Sequence, residues 1–175
     1  MKINDKTFVP YIRENELQEA ILSIAQAINR DYADRKPMLI AVLNGAFMFA
    51  SDLIKCLDIE VEVSFVKVKS YEGTQSSGKV KQLFGLDAPL EGKDVILLED
   101  IVDTGHTVQY LIKLLEEKKP ASISIASLLF KPDALQIPVD LQYKGIEIPN
   151  IFVVGYGLDY DGFGRQYKEI YCLEE

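Results

Sequence analysis

The sequence is poor in the residues that usually build metal clusters, with one histidine and two cysteines. His106 cannot complete a zinc site with Cys56 and Cys172 at zinc-like spacing, so none is expected. The two cysteines lie in amphipathic or apolar stretches and read as reduced, buried thiols. Positive charge is also short: 19 Lys and Arg stand against 27 Asp and Glu, a net charge of −8. Such a surface repels phosphodiester backbones and anionic membranes, so neither nucleic acid nor membrane is an expected partner and any phosphate site must be local. Long hydrophobic runs are missing too. Residues 1–10 lack the apolar region of a signal peptide, and runs such as 39–43 are far too short to span a bilayer, which points to the cytoplasm. There is no repeat, low-complexity tract or Pro/Gly/Ser linker. The 175 residues therefore read as one domain, 1–175, of a size that buries roughly 70% of its unfolded surface.

What is present is an ordinary globular composition, 48% apolar and 26% charged, which predicts unaided folding. Residues 16–32 carry Leu17, Ala20, Ile21, Ile24, Ala25 and Ile28 at 3.6-residue spacing, an amphipathic helix. Short apolar runs follow at 38–43, 61–68, 95–98, 123–130 and 151–154, several separated by helical patterns. Runs of this length suit strands buried on both faces, hence an α/β fold with a mostly parallel central sheet flanked by helices. Between 68 and 83 the pattern is instead two strand-like arms around a polar Gly/Ser tip, 72–78, the signature of a mobile flap.

The most informative stretch is Leu97-Leu98-Glu99-Asp100-Ile101-Val102-Asp103-Thr104-Gly105-His106-Thr107, followed by a helical pattern from Val108. A buried strand ends in two adjacent carboxylates, passes through a short polar turn and opens a helix. Thr104, Gly105 and Thr107 offer small side chains, hydroxyls and unpaired backbone N–H groups where the helix dipole favours an anion, a phosphate cradle. Glu99 and Asp100 place acceptor-only carboxylates beside it, suited to a sugar diol or a hydrated Mg²⁺. Asp103 lies between the two. Helix capping alone accounts for one acid or one hydroxyl, not for three acids and two threonines together.

This stretch resembles the pyrophosphate-sugar motif of the type I phosphoribosyltransferases: an apolar strand, two acids, two apolar residues, then Asp-Thr-Gly-x-Thr. Four further segments are similar to the bacterial-type hypoxanthine-guanine branch of that family, in the same order: Val42-Leu43-Asn44-Gly45-Ala46-Phe47, Lys69-Ser70-Tyr71, Ser127-Leu128-Leu129-Phe130-Lys131-Pro132-Asp133 and Phe152-Val153-Val154-Gly155-Tyr156-Gly157-Leu158-Asp159-Tyr160. The resemblance covers most of the chain. It implies the type I fold with a small hood and a β-hairpin flap, a Mg²⁺-dependent transfer of phosphoribosyl from phosphoribosyl pyrophosphate to a 6-oxopurine, and a homodimer or homotetramer.

Carried over residue by residue, the resemblance gives the 5′-phosphate to Asp103, Thr104, Gly105, His106 and Thr107, and the ribose hydroxyls and metal to Glu99 and Asp100. Asp103 becomes the general base on the purine ring nitrogen. Asp159 joins the metal site and the purine pocket. Pyrophosphate falls to Leu43, Asn44 and Gly45, in a loop whose backbone is often cis in the family, and to Ser70, Tyr71 and Arg165 from elsewhere in the chain. Lys131 meets the 6-oxo group, a role for a donor-only side chain that cannot accept from the amino group of adenine. Phe152 stacks on the base and Val153 offers backbone groups to its edge, although composition alone makes Phe152 a core residue. Many relatives have Lys where this chain has Asn44, so the contact there is expected from backbone and not from a charged side chain. The ring of His106 is expected to pack at the helix start or face solvent.

Hypoxanthine is the first choice of base, with guanine or xanthine preference as the alternative. A non-catalytic regulatory relative is the other alternative, disfavoured because it needs a basic face or an added domain. Gly73 to Lys79 approaches a P-loop, but Val80 replaces the required Ser or Thr and the following pattern is strand-like. Gly155-Tyr156-Gly157 lacks the third glycine and the helix of a dinucleotide fingerprint.

Overall fold

The computed structural model describes residues 1–70, 80–86 and 88–174. Its centre is a six-stranded sheet built from β3 (Met38–Leu43), β4 (Glu62–Ser70), β5 (Val80–Gly85), β6 (Asp94–Val102), β7 (Ser122–Phe130) and β8 (Tyr143–Glu147), in the order β5-β4-β3-β6-β7-β8. Five of these strands run parallel, and β5 lies antiparallel on the β4 edge. The apolar runs are continuous because both faces are covered. Leu39 and Ala41 of β3, with Ile96 and Leu98 of β6, meet α1 (Glu14–Asp31) and α2 (Phe47–Lys55). The alternate residues Met38, Ile40 and Val42, with Val95 and Leu97, meet α3 (His106–Glu116) on the other face. Each fully buried Leu or Ile of this kind stabilises the fold by about 1.5–3 kcal/mol.

α1 forms where the apolar stripe predicts, two residues earlier than expected. Glu16 turns back to accept the Arg13 backbone N–H at 3.0 Å, closing the first turn. Leu17, Ile21, Ile24, Ala25 and Ile28 are its buried face.

A second, four-stranded sheet is ordered β1-β2-β10-β9, from β1 (Lys2–Ile3), β2 (Lys6–Ile12), β10 (Ile170–Leu173) and β9 (Val153–Val154). All its pairings are antiparallel, and Ile3, Phe8 and Val154 form its small core. This is the expected hood. The run 151–154 was expected in the parallel sheet; only Val153–Val154 is strand, and it pairs with β10. Hydrophobicity marks burial but not the partner, and here the partner lies nearly twenty residues further along the chain.

β4 and β5 pair as the two arms of the expected hairpin, with Ser70 opposite Val80. Tyr71 and the tip, 72–78, lie outside the described residues. Val80 opens a strand, not a helix, which removes the P-loop alternative. Cys56 and Cys172 are free thiols but only half-buried, less enclosed than expected. Among the described residues no helix is long and apolar enough to cross a membrane.

The strand order places the site. From β3 the chain passes through α2 to β4 on one side, and the next parallel strand, β6, adds on the other. The carboxyl ends of β3 and β6 therefore send their loops apart and leave a crevice between them, where ligands bind in open parallel sheets.

Candidate active site

Glu99 and Asp100 stand near the carboxyl end of β6. The strand continues past them to Val102, because Ile101 and Val102 still pair with Leu129 and Phe130 of β7. Glu99 is only 4% exposed, and among the described residues its Oε1 has no hydrogen-bond partner. Burial, reinforced by the Asp100 charge, raises its proton affinity well above that of a free carboxylate. Asp100 is pushed up to about 6, chiefly by burial, with the backbone N–H of Ile101 and the Arg165 charge opposing and Asp159 adding to the rise.

The turn that follows is fixed by its backbone. Gly105 takes φ +87° as the residue before α3, and a Cβ there would lie 2.6 Å from the Ile137 carbonyl oxygen. Thr104 C=O accepts from the N–H groups of Gln136 and Ile137, at 3.0 and 3.2 Å, pinning the turn from outside. Among the described residues no side chain caps the helix, so Asp103 and Thr104 are not spent on capping. α3 begins at His106, earlier than the expected Val108. Its first intrahelical bond runs from Gln109 N–H to Gly105 C=O, which leaves the N–H groups of residues 106–108 without an intrahelical acceptor. A cavity of about 250 Å³ opens here, lined by Glu99, Asp100, Asp103, Thr104, Gly105 and Thr107. The His106 ring turns aside, with Nε2 3.0 Å from Gln136 Oε1.

The far wall is a stack of backbone loops. The Leu43–Asn44 peptide is cis, and Asn44 is exposed. A Cβ on Gly45 would fall 1.7 Å from Asp100 Oδ2, so only glycine lets that carboxylate lie against the loop. Gly157, at φ +99°, meets the Gly45 carbonyl oxygen, which a Cβ would approach to 2.1 Å. The Gly157 carbonyl in turn accepts Arg165 Nη1 at 2.6 Å. Arg165 Nη2 pairs with Asp159 Oδ1 at 2.6 Å, and Asp159 Oδ2 accepts the Gly162 N–H at 2.7 Å. Asp100, Gly45, Gly157, Arg165 and Asp159 thus meet from three distant segments. Among the described residues, no three of His, Cys, Asp and Glu are arranged as a ready metal cage.

On the other side of Asp103 sits Lys131, at the end of β7. Its N–H bonds Val102 C=O at 2.9 Å, and its side chain is 8% exposed while Nζ donates to Asp103 Oδ2 at 2.9 Å. Val153 is buried in β9. Phe152 is 44% exposed and not a core residue. Its ring leans on Phe8 and Tyr160, with centroids at 6.2 and 5.8 Å, and Lys6 Nζ lies 4.9 Å from the Tyr160 centroid. Phe8 and Lys6 had no signal in sequence, because the N-terminal strand reaches this wall only through tertiary pairing. Of the expected site residues, only Tyr71 lies outside the described part; Ser70 closes β4.

Residues 13–161 match the family model described as Phosphoribosyl transferase domain. The chain is 42% identical over 150 residues to the hypoxanthine-guanine phosphoribosyltransferase of Bacillus subtilis, covering 85% of this chain and 83% of that one. It is 43% identical over 150 residues to a bifunctional protein TilS/HprT of Listeria innocua, but spans only 23% of that longer protein. Among solved structures, a hypoxanthine-guanine phosphoribosyltransferase from Bacillus anthracis superposes with a TM-score of 0.91 at 35% identity, covering 97% of this chain and 100% of that one.

Proposed function

The chain belongs to the phosphoribosyl transferase family, and from that premise we propose that it transfers the 5-phosphoribosyl group of phosphoribosyl pyrophosphate to hypoxanthine, and to guanine, in purine salvage. The products are inosine or guanosine monophosphate and pyrophosphate. The observation that carries the choice of base is the 2.9 Å contact between Lys131 Nζ and Asp103 Oδ2 beside the cradle. A donor-only group and a proton acceptor side by side match a 6-oxopurine, which offers an oxo acceptor and a ring N–H.

In this reading the N–H groups opening α3 and the hydroxyls of Thr104 and Thr107 hold the 5′-phosphate. Glu99 and Asp100, adjacent buried acids at the strand end, meet the ribose hydroxyls. Asp103 takes, or holds, the proton of the purine nitrogen that attacks the anomeric carbon. Lys131 orients the base through its oxo group, the half-exposed Phe152 ring stacks on it, and the Val153 backbone meets its edge. As the sugar acquires oxocarbenium character, the carboxylates face the growing positive charge and Arg165 faces the departing pyrophosphate. Asn44 brings no charge, so the Leu43–Gly45 loop meets pyrophosphate through its backbone, and Ser70 and Tyr71 are its further contacts in this reading.

The acids fit magnesium: they are oxygen-only donors, and the buried Glu99 Oε1 has no partner among the described residues. Glu99, Asp100 and Asp159 would hold the ion, which when bound supplies charge neutralisation for the leaving group. The reading treats 1–175 as one domain acting in the cytoplasm as a homodimer or homotetramer. Val63 and Phe65 on one face of β4, and Phe47 opening α2, are exposed and give such an assembly apolar surface to cover.

The test is direct. The chain is supplied with phosphoribosyl pyrophosphate, Mg²⁺ and, separately, hypoxanthine, guanine and xanthine, and nucleotide is measured. Inosine and guanosine monophosphate are expected. Absence of nucleotide from all three bases refutes the reading, and light scattering reports the assembly.

A further inference from the structure

One polar contact near the site has no part in the chemistry above. Tyr156 is 2% exposed, and its hydroxyl donates to Asp52 Oδ2 at 2.5 Å. Asp52 belongs to α2, the helix that opens directly after the Asn44–Gly45 loop, and it also accepts from Lys55 Nζ at 2.6 Å and Gln18 Nε2 at 3.4 Å. Tyr156 sits between two glycines, and the three residues Gly155, Tyr156 and Gly157 have φ of +103°, +47° and +99°. An aromatic residue seldom holds the left-handed region unless its surroundings fix it there.

What Tyr156 fixes is the wall described above. Its N–H bonds Tyr167 C=O at 2.8 Å, and the next N–H, of Gly157, bonds Arg165 C=O at 3.0 Å. The Gly157 carbonyl then receives the Arg165 guanidinium, while the Gly157 α-carbon packs on the Gly45 carbonyl. A shift of this turn therefore moves Arg165 and opens the Gly45–Gly157 contact together.

We infer that Tyr156 and Asp52 form a positioning pair for the leaving-group half of the site, tying the turn that carries Arg165 to the helix that carries the Leu43–Gly45 loop. The inference rests on the reading that Arg165 and Gly45 meet pyrophosphate. Neither partner touches substrate; each acts by holding two walls in register, and small misplacements at such walls are costly in rate.

Tyr156→Phe keeps the ring and removes only the hydroxyl, and Asp52 retains Lys55 and Gln18 as donors. The KM for phosphoribosyl pyrophosphate is expected to rise roughly threefold to tenfold, the span of one lost hydrogen bond, with the KM for hypoxanthine unchanged. Calorimetry with pyrophosphate and Mg²⁺ should show the same loss. Asp52→Ala, which removes the acceptor, should reproduce the split, and the double variant should be no worse than the worse single. Wild-type donor affinity in both single variants, parallel rises in both KM values, or additive losses would overturn the inference. Nucleotide formation by the wild type, with donor affinity unaltered in both single variants, overturns this inference alone; no nucleotide from the wild type overturns the enzyme reading with it.

Discussion

The two halves of the site are built in different ways. The cradle is one unbroken segment, from Glu99 to Thr107, in which a strand, a turn and a helix start place every group by local geometry. The opposite walls are assembled: Gly45, Lys131, Phe152 and Arg165 come from four separate stretches, and Phe8 leans in from the N-terminal strand. A contiguous site depends on backbone conformation at a few positions. An assembled one depends on the sheet order that brings β3 and β7 to either side of β6. Asp103 belongs to both, since it lies in the cradle and touches Lys131.

That shared position gives the largest expected effect. Asp103→Asn should lower kcat by about 10²- to 10⁴-fold with little loss of folding stability, as for a lost general base. Wild-type turnover in that variant would sever the link between the halves. Lys131→Ala follows. It removes a charged hydrogen bond, so the KM for hypoxanthine should rise about tenfold to a hundredfold while the KM for phosphoribosyl pyrophosphate stays put. The half-exposed Asp103 left behind can be solvated, so the fold should hold. Equal losses for both substrates would mean that the halves are not separable at Lys131.

The same contrast governs what could be read in advance. The cradle, α1 and the central strands were legible because their signals are local: apolar periodicity, a glycine at the turn, acids at a strand end. β8 carries no such signal, because Tyr143–Glu147 is a partly exposed edge strand with few apolar residues. Its Gly145 is needed only because Leu128 C=O packs where a side chain would stand, a fact of tertiary contact. Phe152 looked like core for a similar reason. Its apolar neighbours do pack, but the hood sheet turns its ring outward. The tie between Gly45 and Asp100, over fifty residues apart, has no local trace at all.

The next test sharpens the claim that the cradle depends on backbone geometry. Gly105→Ala adds a Cβ at φ +87° and directs it at the Ile137 carbonyl oxygen. The cost should be about 1–3 kcal/mol, enough at this chain length to lower Tm by several degrees. Donor affinity should fall with it, because the N–H groups opening α3 move, while hypoxanthine contacts at Lys131 are spared. Unchanged Tm and donor KM would show that the turn does not require glycine.

The smallest effect probes the buried acids where the two halves meet. Glu99 and Asp100 bind protons more tightly in the fold than in the unfolded chain, Asp100 at about 6 against 3.8. Such groups favour the folded state most strongly below the unfolded-state value, and that contribution is lost as pH rises through the folded-state value. In EDTA, Tm should therefore fall between pH 5 and pH 7.5 through Asp100, an effect worth about 2–4 °C per kcal/mol. Asp100→Asn removes the group, so the decline should be shallower in the variant, and identical slopes would discard the assignment. Mg²⁺ binds the ionised acids in preference, so adding it should lift Tm more at pH 7.5 than at pH 5. A lift of equal size at both pH values would place the ion away from Glu99 and Asp100 without any appeal to turnover.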